Sequence, residues 1–166
     1  VAFAEDLQPE FHTYAENIVK NAQTLAKELE SHGFKLQGGG TDNHLILVNV
    51  KDSFGIDGKT YEVALDKVGL TLNANALPTD KGGAFRPSGV RLGTPAMTTR
   101  GLGEAEMKTV AGWMKQIASL CAKARKGKPD ETDDEALLAD YADEFEQIRA
   151  EVRDLALKFP LPATEC

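Results

Sequence analysis

Between residues 11 and 29 the apolar side chains fall at 11, 14, 15, 18, 19, 22, 25, 26 and 29. That spacing gathers them on one stripe of a helix, which must be laid against another apolar surface. Gly33 is placed to stop this helix. Two further stretches carry the same signal. Residues 104–121 line up Met107, Val110, Ala111, Met114, Ile117, Ala118 and Cys121. In residues 133–159, Leu138, Tyr141, Phe145, Ile148, Val152, Leu155 and Phe159 step by three and four, a narrow seam of heptad type. The seam needs an apolar partner, in this domain or in another.

Strand signals are few and short. Residues 45–50 read Leu-Ile-Leu-Val-Asn-Val, a nearly continuous run that suggests a strand buried on both faces. Residues 34–36, 70–72 and 89–92 are shorter extended candidates. Thr60 is placed to cap a helix carrying Tyr61, Ala64, Leu65 and Val68, after a turn at Asp57-Gly58. Residues 73–87, with Pro78, Gly82, Gly83 and Pro87, read as a long loop of the functional kind. The strands are too few for a doubly wound sheet. The pattern predicts an α/β fold, a small two-layer sandwich of a short sheet covered by helices, plus a long C-terminal helix. It divides into a domain at 1–122, a basic-to-acidic linker at 123–132, an acidic amphipathic helix at 133–159 and a tail at 160–166.

The formal charge of −7 is unevenly spread. Residues 129–151 hold ten acids and one base, Arg149, so the rest of the chain is slightly positive. The acids read as a solvated helix face. A net acidic chain excludes general nucleic-acid binding, where neutralising phosphates dominates affinity. No apolar run approaches the roughly 20 residues that span a bilayer. No secretory leader is recognisable, so the expected setting is cytoplasmic. Cys121 and Cys166 make no disulfide framework, and their spacing to His12, His32 and His44 predicts no zinc site.

Several residues invite a chemical reading. Gly38-Gly39-Gly40 lacks the lysine and following helix of a phosphate loop and is better read as a tight turn between strands. Thr41, Asp42, Asn43 and His44 suit local bonds to the backbone, and His44 has no catalytic partner at a recognisable spacing. Arg91 lies between Val90 and Leu92 in a short apolar strand. Its guanidinium must meet an internal carboxylate or an external anion, for which it offers a two-pronged fork. Asn73 and Asn75 are either turn formers or amides able to read a heterocycle edge.

The strings Gly39-Gly40-Thr41-Asp42-Asn43-His44-Leu45, Leu72-Asn73-Ala74-Asn75 and Ser88-Gly89-Val90-Arg91-Leu92-Gly93-Thr94-Pro95-Ala96-Met97-Thr98-Thr99-Arg100-Gly101, followed by Glu104-Ala105-Glu106-Met107, stand in the order found in the C-terminal domain of serine hydroxymethyltransferases. Tyr14-Ala15 and Val19-Lys20-Asn21-Ala22 in the opening helix match as well. The chain resembles that family closely over residues 1–122. The resemblance implies the small C-terminal domain of a fold-type-I pyridoxal-phosphate enzyme, working with tetrahydrofolate as co-substrate. The whole enzyme would convert serine to glycine and form 5,10-methylenetetrahydrofolate. It implies that Arg91 grips the amino-acid carboxylate, that Asn75 contacts the pterin of folate and that Phe85 lies near the folate site.

Two departures stand out. Ala74 replaces a frequent lysine, and residues 83–87 replace a Ser-Pro-Phe-Val-Thr pattern. The lysine that anchors the cofactor in a threonine-rich run ending in His-Lys has no counterpart here, and the chain opens on Val1. The expectation is therefore a C-terminal piece that binds no pyridoxal phosphate alone, lacks a preceding cofactor domain and belongs to a homodimer or larger assembly. The alternative is a standalone, non-catalytic binding module that reuses the fold.

Overall fold

The computed structural model describes residues 2–78, 80 and 85–161. Val1, Cys166 and the Gly83-Ala84 part of the loop departure lie outside these residues. The elements are α1 (Ala2–Asp6), α2 (Pro9–Ser31), β1 (Lys35–Leu36), β2 (Leu45–Asn49), α3 (Val50–Phe54), α4 (Gly58–Lys67), β3 (Asn73–Asn75), β4 (Gly89–Gly93), α5 (Pro95–Thr99), α6 (Glu104–Gly127), α7 (Asp134–Leu138) and α8 (Ala142–Lys158). One four-stranded sheet runs β1-β2-β4-β3, every neighbour antiparallel. Helices cover one face, as the α/β two-layer reading predicts.

β2 departs from expectation. Ile46 and Val48 are fully buried with Val90 against the helices, whereas Leu45 is 39% exposed. The strand is therefore buried on one face only, because no layer of the described chain covers the other. The strand also ends at Asn49. The Asn49 side chain accepts the Asp52 N–H and starts α3, so Val50 is helical.

Three other boundaries differ. Asp57, not Thr60, caps α4, accepting the Thr60 N–H at 2.9 Å. A strand forms at Asn73–Asn75, inside the expected loop, rather than at 70–72. α6 runs on to Gly127, through residues 123–127 expected as linker. The run of glycines at 38–40 behaves as a turn: all three have positive φ.

The 133–159 segment forms α7, a 3-10 turn at Ala139–Tyr141, and α8. Its seam lies on this same domain. Leu138, Phe145 and Ile148 are buried in the common core, and Tyr141, Val152, Leu155 and Phe159 pack beside them. Trp113 Nε1 donates to Glu151 at 2.7 Å. Arg100 donates to the Phe159 and Ala156 carbonyls, both at 2.7 Å, neutralising the C-terminal end of α8.

The acidic stretch is more than a solvated face. Asp134 pairs with Arg86 at 3.2 Å, Lys128 meets Asp140 at 2.8 Å, and Lys67 bonds Glu135. The slightly positive body thus meets part of the negative tail. Arg86 also bonds Asp57 at 3.1 Å and the Thr132 carbonyl at 2.6 Å, drawing the start of α4 toward the start of α7.

Burial works to raise the Asp57 carboxyl pKa, but the Thr60 N–H, the Arg86 charge and the Thr60 hydroxyl outweigh it and hold it below the ordinary 3.8. A depressed carboxyl stabilises the fold above its unfolded pKa, and this contribution is lost as pH falls through the folded value. Asp57→Asn should therefore be less stable than the parent at pH 7, by up to about 1 kcal/mol for the lost ion pair with Arg86, since asparagine caps a helix about as well as aspartate. The gap should narrow as pH drops below about 4. Urea midpoints from pH 3 to 7 check this, and a gap that stays constant would reject it.

Burial also pushes the Cys121 thiol up to about 12. It is a core group rather than a nucleophile. Among the described residues no three His, Cys, Asp or Glu side chains gather as a metal set, and no helix is long and apolar enough to cross a membrane.

Candidate functional site

Strand alternation puts Val90 against the helices and Arg91 on the opposite, open face of the sheet. The register sets Arg91 between Leu47 of β2 and Asn73 of β3, with Asn75 opposite Gly89. Arg91 is exposed and, among the described residues, has no carboxylate within ion-pair distance.

Arg91 and Asn75 share one open concavity of about 630 Å³ with the turn at 37–43. Its far wall is built by local bonds. The Thr41 hydroxyl donates to the Leu45 carbonyl at 2.6 Å, and Asn43 Oδ1 accepts the Leu45 N–H at 2.7 Å. These short polar side chains thus serve the backbone, and His44 stands outside the concavity. Among the described residues of the lining, Asp42 is the only carboxylate and Arg91 the only cation. Asn75 Nδ2 donates to the adjacent Ala76 carbonyl at 2.7 Å. Phe85 is 93% exposed and is not part of this wall.

Two carboxylates that sequence reasoning did not single out hold these strands. Glu62 accepts the Ala74 N–H at 3.1 Å, between the two asparagines, and pairs with Lys59 at 2.6 Å. Burial pulls Glu62 up, yet those two partners keep it below the usual carboxylate range. Asp80 accepts the Ser88 N–H at 2.9 Å and the Leu77 N–H at 3.0 Å, clasping the two ends of the connection from β3 to β4. Hydrogen bonds from Ser88 and then Leu77 hold its carboxyl low. Nothing in local spacing marks either residue, because each acts on a segment elsewhere in the chain.

Behind the sheet, the motifs of the opening helix and of residues 94–102 meet. Buried Asn21 donates to Thr98 Oγ1 at 2.9 Å and to the Leu102 carbonyl at 3.0 Å. Thr94 donates to the Ile18 carbonyl at 2.9 Å, and the Tyr14 hydroxyl lies 2.8 Å from Thr99 Oγ1. This girder fixes the end of β4 and with it the strand that carries Arg91.

The fold and site define a small α/β domain that presents one guanidinium, with amides beside it, on an open sheet face. The family model for serine hydroxymethyltransferase matches residues 1–114, and the chain belongs to that family. It is 47% identical over 165 residues to a serine hydroxymethyltransferase of Acidothermus cellulolyticus, covering 99% of this chain and 36% of the relative. Similar matches are the serine hydroxymethyltransferases of Acidobacterium capsulatum, 44% identical over 97% of this chain and 33% of the relative, and of Sorangium cellulosum, 44% identical over 98% and 34%. The chain spans about a third of the length of the curated relatives it matches.

Proposed function

We propose that the chain is the C-terminal part of a pyridoxal-phosphate-dependent enzyme that converts serine and tetrahydrofolate to glycine and 5,10-methylenetetrahydrofolate. In this reading residues 1–122 form its small domain, and 133–159 the helical segment that follows the linker. Arg91 holds the amino-acid carboxylate, Asn75 contacts the pterin, and Phe85 approaches the folate from the loop. The observation that carries the reading is the Arg91 guanidinium, exposed on the open sheet face beside Asn75 and without a carboxylate partner among the described residues. A planar fork suits a carboxylate and fixes its orientation.

The same lining does not suit pyridoxal phosphate. Among the described residues it holds no lysine amine to condense with the cofactor's aldehyde. The cofactor belongs to the rest of the longer enzyme, which works as a homodimer or larger assembly, and the chain alone is inactive.

Asn75→Ala in the longer enzyme tests the reading. Folate-dependent turnover of serine should fall about tenfold, the worth of one hydrogen bond in a desolvated site. Folate-independent cleavage of a 3-hydroxy amino acid should be spared. The 166-residue chain, supplied with cofactor and both substrates, serves as the blank. An equal loss in both reactions would overturn the pterin role, and turnover by the blank would overturn the claim of inactivity.

A further inference from the structure

A second cavity lies on the other side of β4 from Arg91. It has a volume of about 220 Å³ and sits where α8 crosses the sheet and α6. Leu65, Leu92, Met97, Trp113, Val152 and Leu155 form its apolar walls. It stays unfilled because small residues, Gly69, Ala96 and Ala156, stand where larger side chains would close it. Gly69, Thr71 and Ala96 are the exposed residues of the lining and mark its mouth.

The large polar side chains of the wall are engaged, and the Thr71 hydroxyl stands at the exposed mouth. Arg100 is turned to the Phe159 and Ala156 carbonyls, and the Trp113 indole N–H to Glu151. Among the described residues no carboxylate lines the space, and Arg100 is its only ionised group. An apolar cavity of about 150 Å³ is known to stay dry and to take benzene or xenon. This one is larger and similarly lined.

We propose that this cavity is a binding site for a small neutral molecule, aromatic or branched aliphatic, held between α8 and the sheet. The chemistry follows from the walls. Transfer of apolar surface from water supplies the driving force. A cation would be desolvated beside the Arg100 guanidinium, with no carboxylate among the described lining residues to meet it. The inference stands apart from the Arg91 reading, since β4 alternation directs the two sites to opposite faces.

Trp113 is the only tryptophan in the chain and lines the cavity, so its emission reports occupancy directly. Toluene titrated into the chain should change that emission saturably. At about five times its Kd it should raise Tm by roughly 2–4 °C. Benzylammonium, a similar ring carrying a positive charge, should do neither at equal concentration. Ala156→Leu should fill the space and abolish the toluene response while keeping a cooperative unfolding transition. Absence of a saturable response in the parent, an unchanged response in A156L, or tighter binding of benzylammonium would each overturn the proposal. Should A156L fail to fold, crystals of the parent chain under xenon pressure decide the matter. An anomalous peak between Leu92 and Leu155 supports the site, and none there rejects it.

Discussion

Arg91→Ala in the longer enzyme is expected to raise the apparent KM for serine and to lower turnover, with cofactor content, read from its visible absorbance, unchanged. Losing one partner of a desolvated, charge-assisted, two-pronged contact weakens binding by roughly 2–5 kcal/mol. That corresponds to about 30- to 5,000-fold in kcat/KM. Turnover falls as well as affinity because the fork also fixes the angle at which the amino acid meets its reaction partners. Arg91→Lys should recover little, since an ammonium keeps the charge but not the planar fork. The fold should be indifferent. Arg91 is exposed and, among the described residues, makes no ion pair, so its removal breaks no internal salt bridge. Serine kinetics equal to the parent's would reject the assignment.

Gly58→Ala should destabilise the chain by about 2–4 kcal/mol, the opposite of what helix propensity predicts. Gly58 is the first residue of α4 and has no positive φ, so its backbone asks for no glycine. Space asks for it. A Cβ there would lie 2.1 Å from the Gly89 carbonyl oxygen and 3.1 Å from that of Pro87. Both are backbone atoms, and the Gly58 N–H donates to Pro87 at 2.7 Å. Relieving the clash separates α4 from β4 and stretches that bond. Overpacking costs typically about 1–3 kcal/mol, and a weakened buried hydrogen bond adds about 1. Gly112→Ala in α6 is the control. A Cβ at Gly112 meets nothing within 4 Å, so the substitution should stabilise by roughly 0.5–1 kcal/mol. Urea unfolding of the two variants measures both, and a shift of the same sign in each would reject the argument.

The damage from Gly58→Ala would also reach the site. β4 carries Arg91 one residue beyond Val90, and Glu62, four residues along α4 from Gly58, holds the Ala74 N–H of β3. Displacing α4 therefore loosens both strands that frame the concavity.

Much of the architecture was legible along the chain. The stripe from Phe11 to Leu29 and the face from Met107 to Cys121 each lie in the one helix their period predicts, whereas the seam from Leu138 to Phe159 is broken by a 3-10 turn between α7 and α8. The glycine run reads as a turn because a positive φ is a property of single residues. Arg91 was legible as a charge in an apolar strand, and the ordered strings around it marked the family.

What escaped that reading depends on partners far along the chain. Asp57-Gly58 reads locally as a turn. Its actual tasks are to cap α4 and to let β4 come close, 31 residues on. Arg86 sits in an aperiodic loop and has no local signature. Its ion pair with Asp134 spans 48 residues and joins body to tail. The run of residues 45–50 looks buried on both faces because apolar side chains report a preference for burial, not whether a layer exists to meet it. The acids of the tail look solvated for a related reason, since net charge says nothing of which base each carboxylate will find. Helix and turn were determined by neighbours three and four residues away, which the chain spells out. The close approaches, the tail's docking and the two faces of β4 were settled by packing, where steric fit and hydrogen-bond direction join segments that no local pattern relates.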